Sequence, residues 1–158
     1  MSHRKGHLIR AMAMAIAGCL LIAGCTADRP RSERQSSGPP PLPCPTSAEL
    51  SDGTGGPQRQ GTGTDATLWA LFFGPKAVAG QEIKIAWRMT GAGDLTMNAT
   101  GENGATVKPV WGPEAHPSST FQRPGEEWGT GWVFPTAGCW TFNATRTTGR
   151  AQLAIRVA

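Results

Sequence analysis

The chain has 158 residues, of which 39% are hydrophobic and only 16% charged, and its 21 glycines and 13 prolines favour turns over long helices. This composition argues against a helical bundle, a coiled coil and a polytopic membrane protein. The formal charge of +4 falls to +1 without the first 24 residues, which hold three cations and no carboxylate, so the chain lacks the basic cluster of a nucleic-acid-binding protein.

The first 24 residues have the pattern of a secretory leader. Arg4, Lys5 and Arg10 precede an uncharged stretch at residues 11–23, and a basic start followed by a short apolar run is typical of signal peptides. A membrane-spanning helix needs about 20 apolar residues, and the charge at Asp28 follows too soon. We therefore predict that residues 1–24 are a signal peptide.

The end of this leader, LIAGC at residues 21–25, resembles the lipobox of bacterial lipoproteins. The resemblance implies that a diacylglycerol is attached to the sulfur of Cys25 and that a signal peptidase cleaves before this residue. Two acyl chains anchor a protein stably in a membrane, whereas a single chain gives only marginal membrane binding. The expected location is the extracytoplasmic face of the bacterial cell membrane. The alternative is an ordinary secretory leader with an incidental cysteine.

Residues 25–66 are predicted to be a linker behind the lipidated cysteine. The stretch is rich in Pro, Ser, Gly and Thr and nearly lacks aliphatic residues, so it cannot bury enough apolar surface to offset chain entropy. The prolines at 39–41 and 43 favour a stiff, extended spacer. A recognition role for this proline run is the less favoured alternative.

Residues 67–158 show the alternation of apolar and polar positions that predicts β-strands. The predicted strands lie in chain order at 67–73, 81–90, 94–100, 127–134, about 140–144 and about 153–157. Turn sequences such as Asn103-Gly104 separate them. This pattern predicts an all-β domain, an immunoglobulin-like antiparallel β-sandwich of about seven strands. Residues 107–124, with four prolines, are predicted to be a long surface connection.

One block of this domain resembles a known group of proteins. GWVFPTAGCW at residues 131–140, together with Cys44-Pro45 and IKIAW at residues 83–87, is similar to a widespread family of uncharacterised bacterial secreted proteins and lipoproteins. In that family an FPTxGCW turn precedes the last hairpin of a small β domain. The similarity covers about residues 44–158. The resemblance implies the fold and assigns no activity.

The cysteines predict one disulfide. With Cys25 lipidated, Cys44 and Cys139 remain in an oxidising exterior, where disulfides persist. Their bond would close a loop of about 95 residues and limit the free spacer to residues 26–43. Free thiols, or an intermolecular bridge through Cys44, are the alternatives.

The sequence offers no pattern for a metal site, a cofactor or a catalytic group. His116 is the only histidine outside the leader, too few for a blue-copper or zinc centre, so we predict a solvated side chain. The serines beside it lack a nucleophile motif. Glu126 and Glu127 are strand neighbours whose side chains point to opposite faces. We therefore expect no cofactor, no bound metal and no enzymatic activity.

The six tryptophans raise the question of ligand binding. Trp87, Trp132 and Trp140 are in phase with aliphatic residues, which predicts core positions. Trp111 lies in the predicted long connection and is the candidate ligand-binding residue, for a saccharide or wall polymer.

Together these patterns predict a non-enzymatic, lipid-anchored envelope lipoprotein whose β-sandwich is a binding or structural module. Its expected partners are the membrane, through the lipid, and a cell-wall glycan or envelope protein, with no nucleic acid. One alternative is recognition of a saccharide or small solute through the aromatic loop. Another is an enzyme-inhibitory module acting through residues 111–124.

Overall fold

Ten antiparallel strands form two five-stranded sheets in the computed structural model, which describes residues 42–46, 50, 57–117 and 119–158. The leader and Cys25 lie outside these residues, so the structure does not bear on the lipobox prediction. The strands are β1 (Gln58–Gln60), β2 (Thr62–Thr64), β3 (Leu68–Phe72), β4 (Glu82–Met89), β5 (Thr96–Gly101), β6 (Thr106–Val107), β7 (Trp111–Ala115), β8 (Glu126–Val133), β9 (Gly138–Thr145) and β10 (Arg150–Val157). No helix long and apolar enough to cross a bilayer occurs in this part of the chain.

The two sheets pack face to face as a sandwich. Sheet 1 has the strand order β1-β3-β4-β8-β7, and sheet 2 has the order β2-β10-β9-β5-β6. Every pairing between these strands is antiparallel. The prediction of an all-β antiparallel sandwich is confirmed, with ten strands instead of about seven.

The strand count differs from the prediction at the sheet edges. The six predicted strands are observed as β3, β4, β5, β8, β9 and β10. The four additional strands, β1, β2, β6 and β7, occupy the four outer positions of the two sheets. An edge strand is held by backbone pairing on one side only, so it can form without an alternating apolar pattern.

Two of these edge strands lie upstream of residue 67, where the sequence predicts a linker. β1 pairs with β3, and β2 pairs with β10. Leu50 also lies in this stretch, and it is fully buried with its backbone N–H donating to the carbonyl of Pro75 at 2.7 Å. A single leucine between polar residues forms no period, which is why the pattern does not reveal its position.

Large aromatic side chains fill the space between the sheets. Trp87, Trp132 and Trp140 are fully buried, as predicted from their phase. The ring of Phe142 stands edge-on to Trp87 and to Trp132, with 4.9 Å between ring centroids in each pair, a favoured geometry for aromatic contacts. Residues in these positions give a small domain a large buried apolar area.

The two ends of the sandwich carry different loops and turns. At one end, the loop at residues 73–81 meets the turn at residues 134–138 and the last residue of the chain. Gly80 N–H donates to Phe134 O, and Ala79 N–H donates to Ala158 O. We call this the disulfide end, because Cys139 follows that turn. The other end carries the turns at residues 90–95 and 146–149, and we call it the opposite end.

Candidate functional site

Cys44 and Cys139 form a disulfide, with 5.8 Å between their Cα atoms and 95 residues between them in sequence. This confirms the predicted pairing. Because Trp140 points into the core, Cys139 faces the outer side of sheet 2. Its cross-strand neighbour Arg156 donates from Nε to the carbonyl oxygen of Pro45 at 2.8 Å. Two contacts therefore hold residues 44–45 on sheet 2 at the disulfide end.

Trp111 lies in an edge strand and not in a loop as predicted. Its position in β7 places it beside Gly131 of β8. The indole lies across the outer surface of Gly129 and Gly131, where a Cβ atom at residue 131 would collide with Trp111 Nε1. Nε1 donates a hydrogen bond of 2.6 Å to Oε1 of Glu82. The ring is thus half-buried and fixed in orientation on the outer face of sheet 1.

Strand register extends this site into a row across sheet 1. Phe73 N–H donates to Lys84 O, Lys84 is paired with Gly131, and Gly131 is paired with Trp111. Lys84 Nζ lies 4.9 Å from the centroid of the Phe73 ring, a cation–π distance. We call Phe73, Lys84, Gly131 and Trp111 the aromatic row.

Sequence analysis identified only Trp111 in this row. A signal for Phe73 was present, because Phe72 and Phe73 are adjacent in an extended segment and only one of them can face the core. Phe72 is the buried one, and Phe73 remains 57% exposed. Alternation along β4 predicts that Lys84 is on the polar face of its strand, but it does not show which residues lie across the sheet.

A second cluster surrounds Glu127 at the opposite end of the same face. The Glu127 carboxylate is buried, and its Oε2 atom lies 3.3 Å from Arg88 Nη1. Ser119 Oγ donates to the same oxygen at 2.5 Å. His116 Nδ1 lies 3.5 Å from the other oxygen, Oε1. A cleft of about 500 Å³ opens beside these groups.

The geometry of this cluster is suited to holding the chain in place. Ser119 donates its hydroxyl to the Glu127 carboxylate and not to the His116 imidazole. A serine nucleophile is activated by a hydrogen bond to a base such as histidine, and Ser119 does not form that bond. Arg88 Nη1 also donates to Phe121 O at 2.7 Å, and Arg88 Nη2 donates to Gly125 O at 2.7 Å. The charges therefore tie residues 119–125 to β4 and β8.

Two expectations about residues 107–124 change with this geometry. The stretch contains β7 and the end of β6, and Phe121 within it is buried and accepts a hydrogen bond from Arg88, so it is not a free surface connection. His116 is exposed over 59% of its side chain, as expected, yet it faces the Glu127 carboxylate. A lone histidine between prolines gives no signal for a partner that lies eleven residues away.

The described residues thus place two candidate groups of side chains on sheet 1, namely the aromatic row and the Glu127 cluster. Within residues 42–46, 50, 57–117 and 119–158, no three His, Cys, Asp or Glu side chains are grouped so as to hold a metal ion. No family model, curated protein or solved structure matches this chain.

Proposed function

We propose that the protein is a non-enzymatic, lipid-anchored lipoprotein of the bacterial cell envelope, with a β-sandwich that binds an envelope component. The Cys44–Cys139 disulfide is the observation that carries this proposal. Such bonds persist in oxidising compartments outside the cytoplasm, which is where the predicted leader would deliver the chain. The bond also joins the predicted linker to the folded domain.

The binding role is supported by the surface of sheet 1. Phe73 and Val110 are the large hydrophobic side chains that remain exposed among the described residues. Val110 precedes the fixed indole of Trp111 in the chain, and its N–H donates to Gly131 O. Phe73 lies at the far end of the aromatic row, with β4 and β8 between it and Trp111. Large exposed apolar side chains of this kind are a feature of interaction sites.

The test of anchoring is substitution of the predicted lipidated cysteine. Cys25→Ser removes the sulfur that would accept the lipid, so we expect the protein to leave the membrane fraction. Intact mass of the wild-type protein should show a chain that begins at Cys25 and carries acyl groups. Cys19→Ser, in the leader but outside the LIAGC pattern, is the matched control and should retain the anchor. A wild-type mature chain that is soluble and begins elsewhere contradicts the proposal.

A saccharide ligand is the second candidate, favoured by the setting of Trp111. The ring is held flat against two glycines and fixed by Glu82, so it forms a rigid, half-exposed platform. Titration with envelope glycans should change tryptophan fluorescence, and Trp111→Ala should abolish the change. Trp69→Phe is the control, because Trp69 lies at the other end of this face beneath Arg123. A response that survives Trp111→Ala contradicts this candidate.

A further inference from the structure

The two residues before Cys44 show the direction from which the chain reaches the domain. The disulfide holds Cys44 beside Arg156, near the end of β10. Leu42 and Pro43 line a cleft together with residues 152–154, which come earlier in the same strand. β10 begins at the opposite end of the sandwich and finishes at the disulfide end. The path from Cys44 back to Leu42 therefore leads towards the opposite end.

A second cleft continues from Leu42 in this direction. Its volume is about 540 Å³, and it is lined by Leu42, by residues 62–65 in and after β2, and by residues 149–152 at the start of β10. Leu42 lines both clefts. Residue 41 is therefore joined to the domain at the second cleft itself.

The floor of the second cleft offers hydrogen-bond donors. Thr64 of β2 is paired with Arg150 of β10, and Thr62 lies two residues earlier on the same face. This is the outer face of sheet 2, because Ala151, next to Arg150, is buried in the core. Both threonines and Arg150 are exposed. Within the described part of the chain, these three side chains form no hydrogen bond and no ion pair.

The chain immediately before Leu42 consists of three prolines, at residues 39–41. A proline run is extended by about 3.1 Å per residue, so three residues cover about 9 Å, close to the length of a three-residue strand such as β2. Proline has a carbonyl acceptor and no N–H donor. The segment can therefore lie on the donors of the cleft without burying an unpaired N–H, while its rings pack on threonine methyl groups and the arginine stem.

We infer that residues 39–41 dock in the second cleft, with their carbonyl oxygens accepting hydrogen bonds from Thr62, Thr64 and Arg150. The occupant is this chain and not a separate peptide, because Leu42 joins the segment directly to the cleft. A tethered segment is present at a high effective concentration. Contacts too weak to hold a free peptide are sufficient to hold it.

The docking itself does not need a lipid on Cys25, but its consequence rests on the proposed anchoring. The free tether would be residues 26–37, which span at most about 40 Å, and it would begin at the opposite end of the sandwich. Phe73, which follows β3 at the disulfide end, would then lie at the end of the domain away from the tether.

The first test measures stability in the chain of residues 25–158 with Cys25→Ser, so that no lipid contributes. Pro39, Pro40 and Pro41 are replaced together by glycine. A proline held in the folded state stabilises it by restricting the unfolded chain, whereas a proline that is free in both states contributes nothing. Urea unfolding should show a folding constant lower by about tenfold or more. Pro30→Gly is the matched control and should change nothing, and a triple variant as stable as its parent overturns the inference.

The second test locates the segment with a nitroxide on Ser37→Cys in the same chain. The label should broaden the amide signal of Gly149, at the opposite end, and spare that of Gly80, at the disulfide end. The triple glycine substitution should weaken the broadening at Gly149. Equal broadening at the two ends, or broadening unchanged by the glycines, overturns the inference. Because this chain carries no lipid, either result is separate from the outcome of the anchoring experiment.

Discussion

The hydroxyl of Thr130 lies between the two sheets and is a hydrogen-bond partner of two buried tryptophans. It accepts hydrogen bonds from Trp87 Nε1 at 2.7 Å and from Trp132 Nε1 at 2.8 Å. It also donates to Ile85 O at 3.3 Å. A hydroxyl has one proton and two acceptor positions, so this side chain uses its full capacity. Both indoles can therefore be buried without an unpaired N–H.

Thr130→Val keeps the shape of the side chain and removes both acceptor positions. Each orphaned buried N–H costs about 1–3 kcal/mol, so for two indoles we expect the free energy of unfolding to fall by about 2–6 kcal/mol. Urea unfolding followed by tryptophan fluorescence measures the loss. Thr141→Val, on the half-exposed outer face of sheet 2, is the control and should change stability by less than about 0.5 kcal/mol. Equal stability of the two variants would contradict this role for Thr130.

At the scale of the elements, Arg88 connects β4 to the segment at residues 119–125. Its guanidinium donates to the carbonyls of Phe121 and Gly125 and neutralises the buried Glu127 carboxylate. The side chain of Phe121 is buried. The segment is therefore part of the packed face of sheet 1, although it has no regular secondary structure.

Arg88→Met should loosen this segment while both sheets remain folded. Hydrogen bonds to a charged group contribute about 1.5–3 kcal/mol, so amide exchange across residues 119–125 should accelerate at least on the order of tenfold. Exchange within β9 and β10 should change little. Arg150→Met is the control, since Arg150 is an exposed arginine at the start of β10 in the other sheet. Unchanged exchange in Arg88→Met would show that other contacts hold these residues.

At the scale of the whole molecule, the disulfide is the longest-range covalent constraint in the described chain. Closing a loop of this length restricts the unfolded chain by about 4–5 kcal/mol. We expect Cys139→Ser, made in the Cys25→Ser background, to lose stability of that order and to release residues 42–46 while the β content is kept. Thermal unfolding and circular dichroism measure the two effects.

The matched control for this prediction is the second cysteine. Cys44→Ser, and the double variant with Cys139→Ser, should each be as unstable as the single Cys139→Ser protein, because all three lose the same loop closure. A Cys139→Ser protein as stable as its parent would show that the bond contributes nothing to folding.

The inner strands were predictable because they have two different faces. Successive side chains of β4 and β8 point in turn to the core and to the exterior along eight residues each. This period of two can be recognised in the amino-acid sequence. The edge strands β1 and β2, with the sequences QRQ and TGT, carry no such period. They form because a neighbouring strand offers unpaired backbone groups, which is information from elsewhere in the chain.

The surface sites were only partly predictable for a related reason. The fixed indole of Trp111 depends on two glycines in a strand that pairs with its own. The Glu127 cluster depends on Arg88, which lies 39 residues earlier. Cys44 and Cys139 were the exception, because a compartment argument and an even count of remaining thiols suffice to pair them.

The short outer strands have a consequence for how copies of the protein behave beside one another. A long, regular edge is a template on which another chain can add a strand and begin aggregation. Here β1 and β2 have three residues each and β6 has two, while Pro113, which has no N–H to donate, interrupts β7. Anchoring would confine many copies to one plane and raise their encounter rate. Such edges let the domains collide in that plane without joining their sheets into a shared ladder.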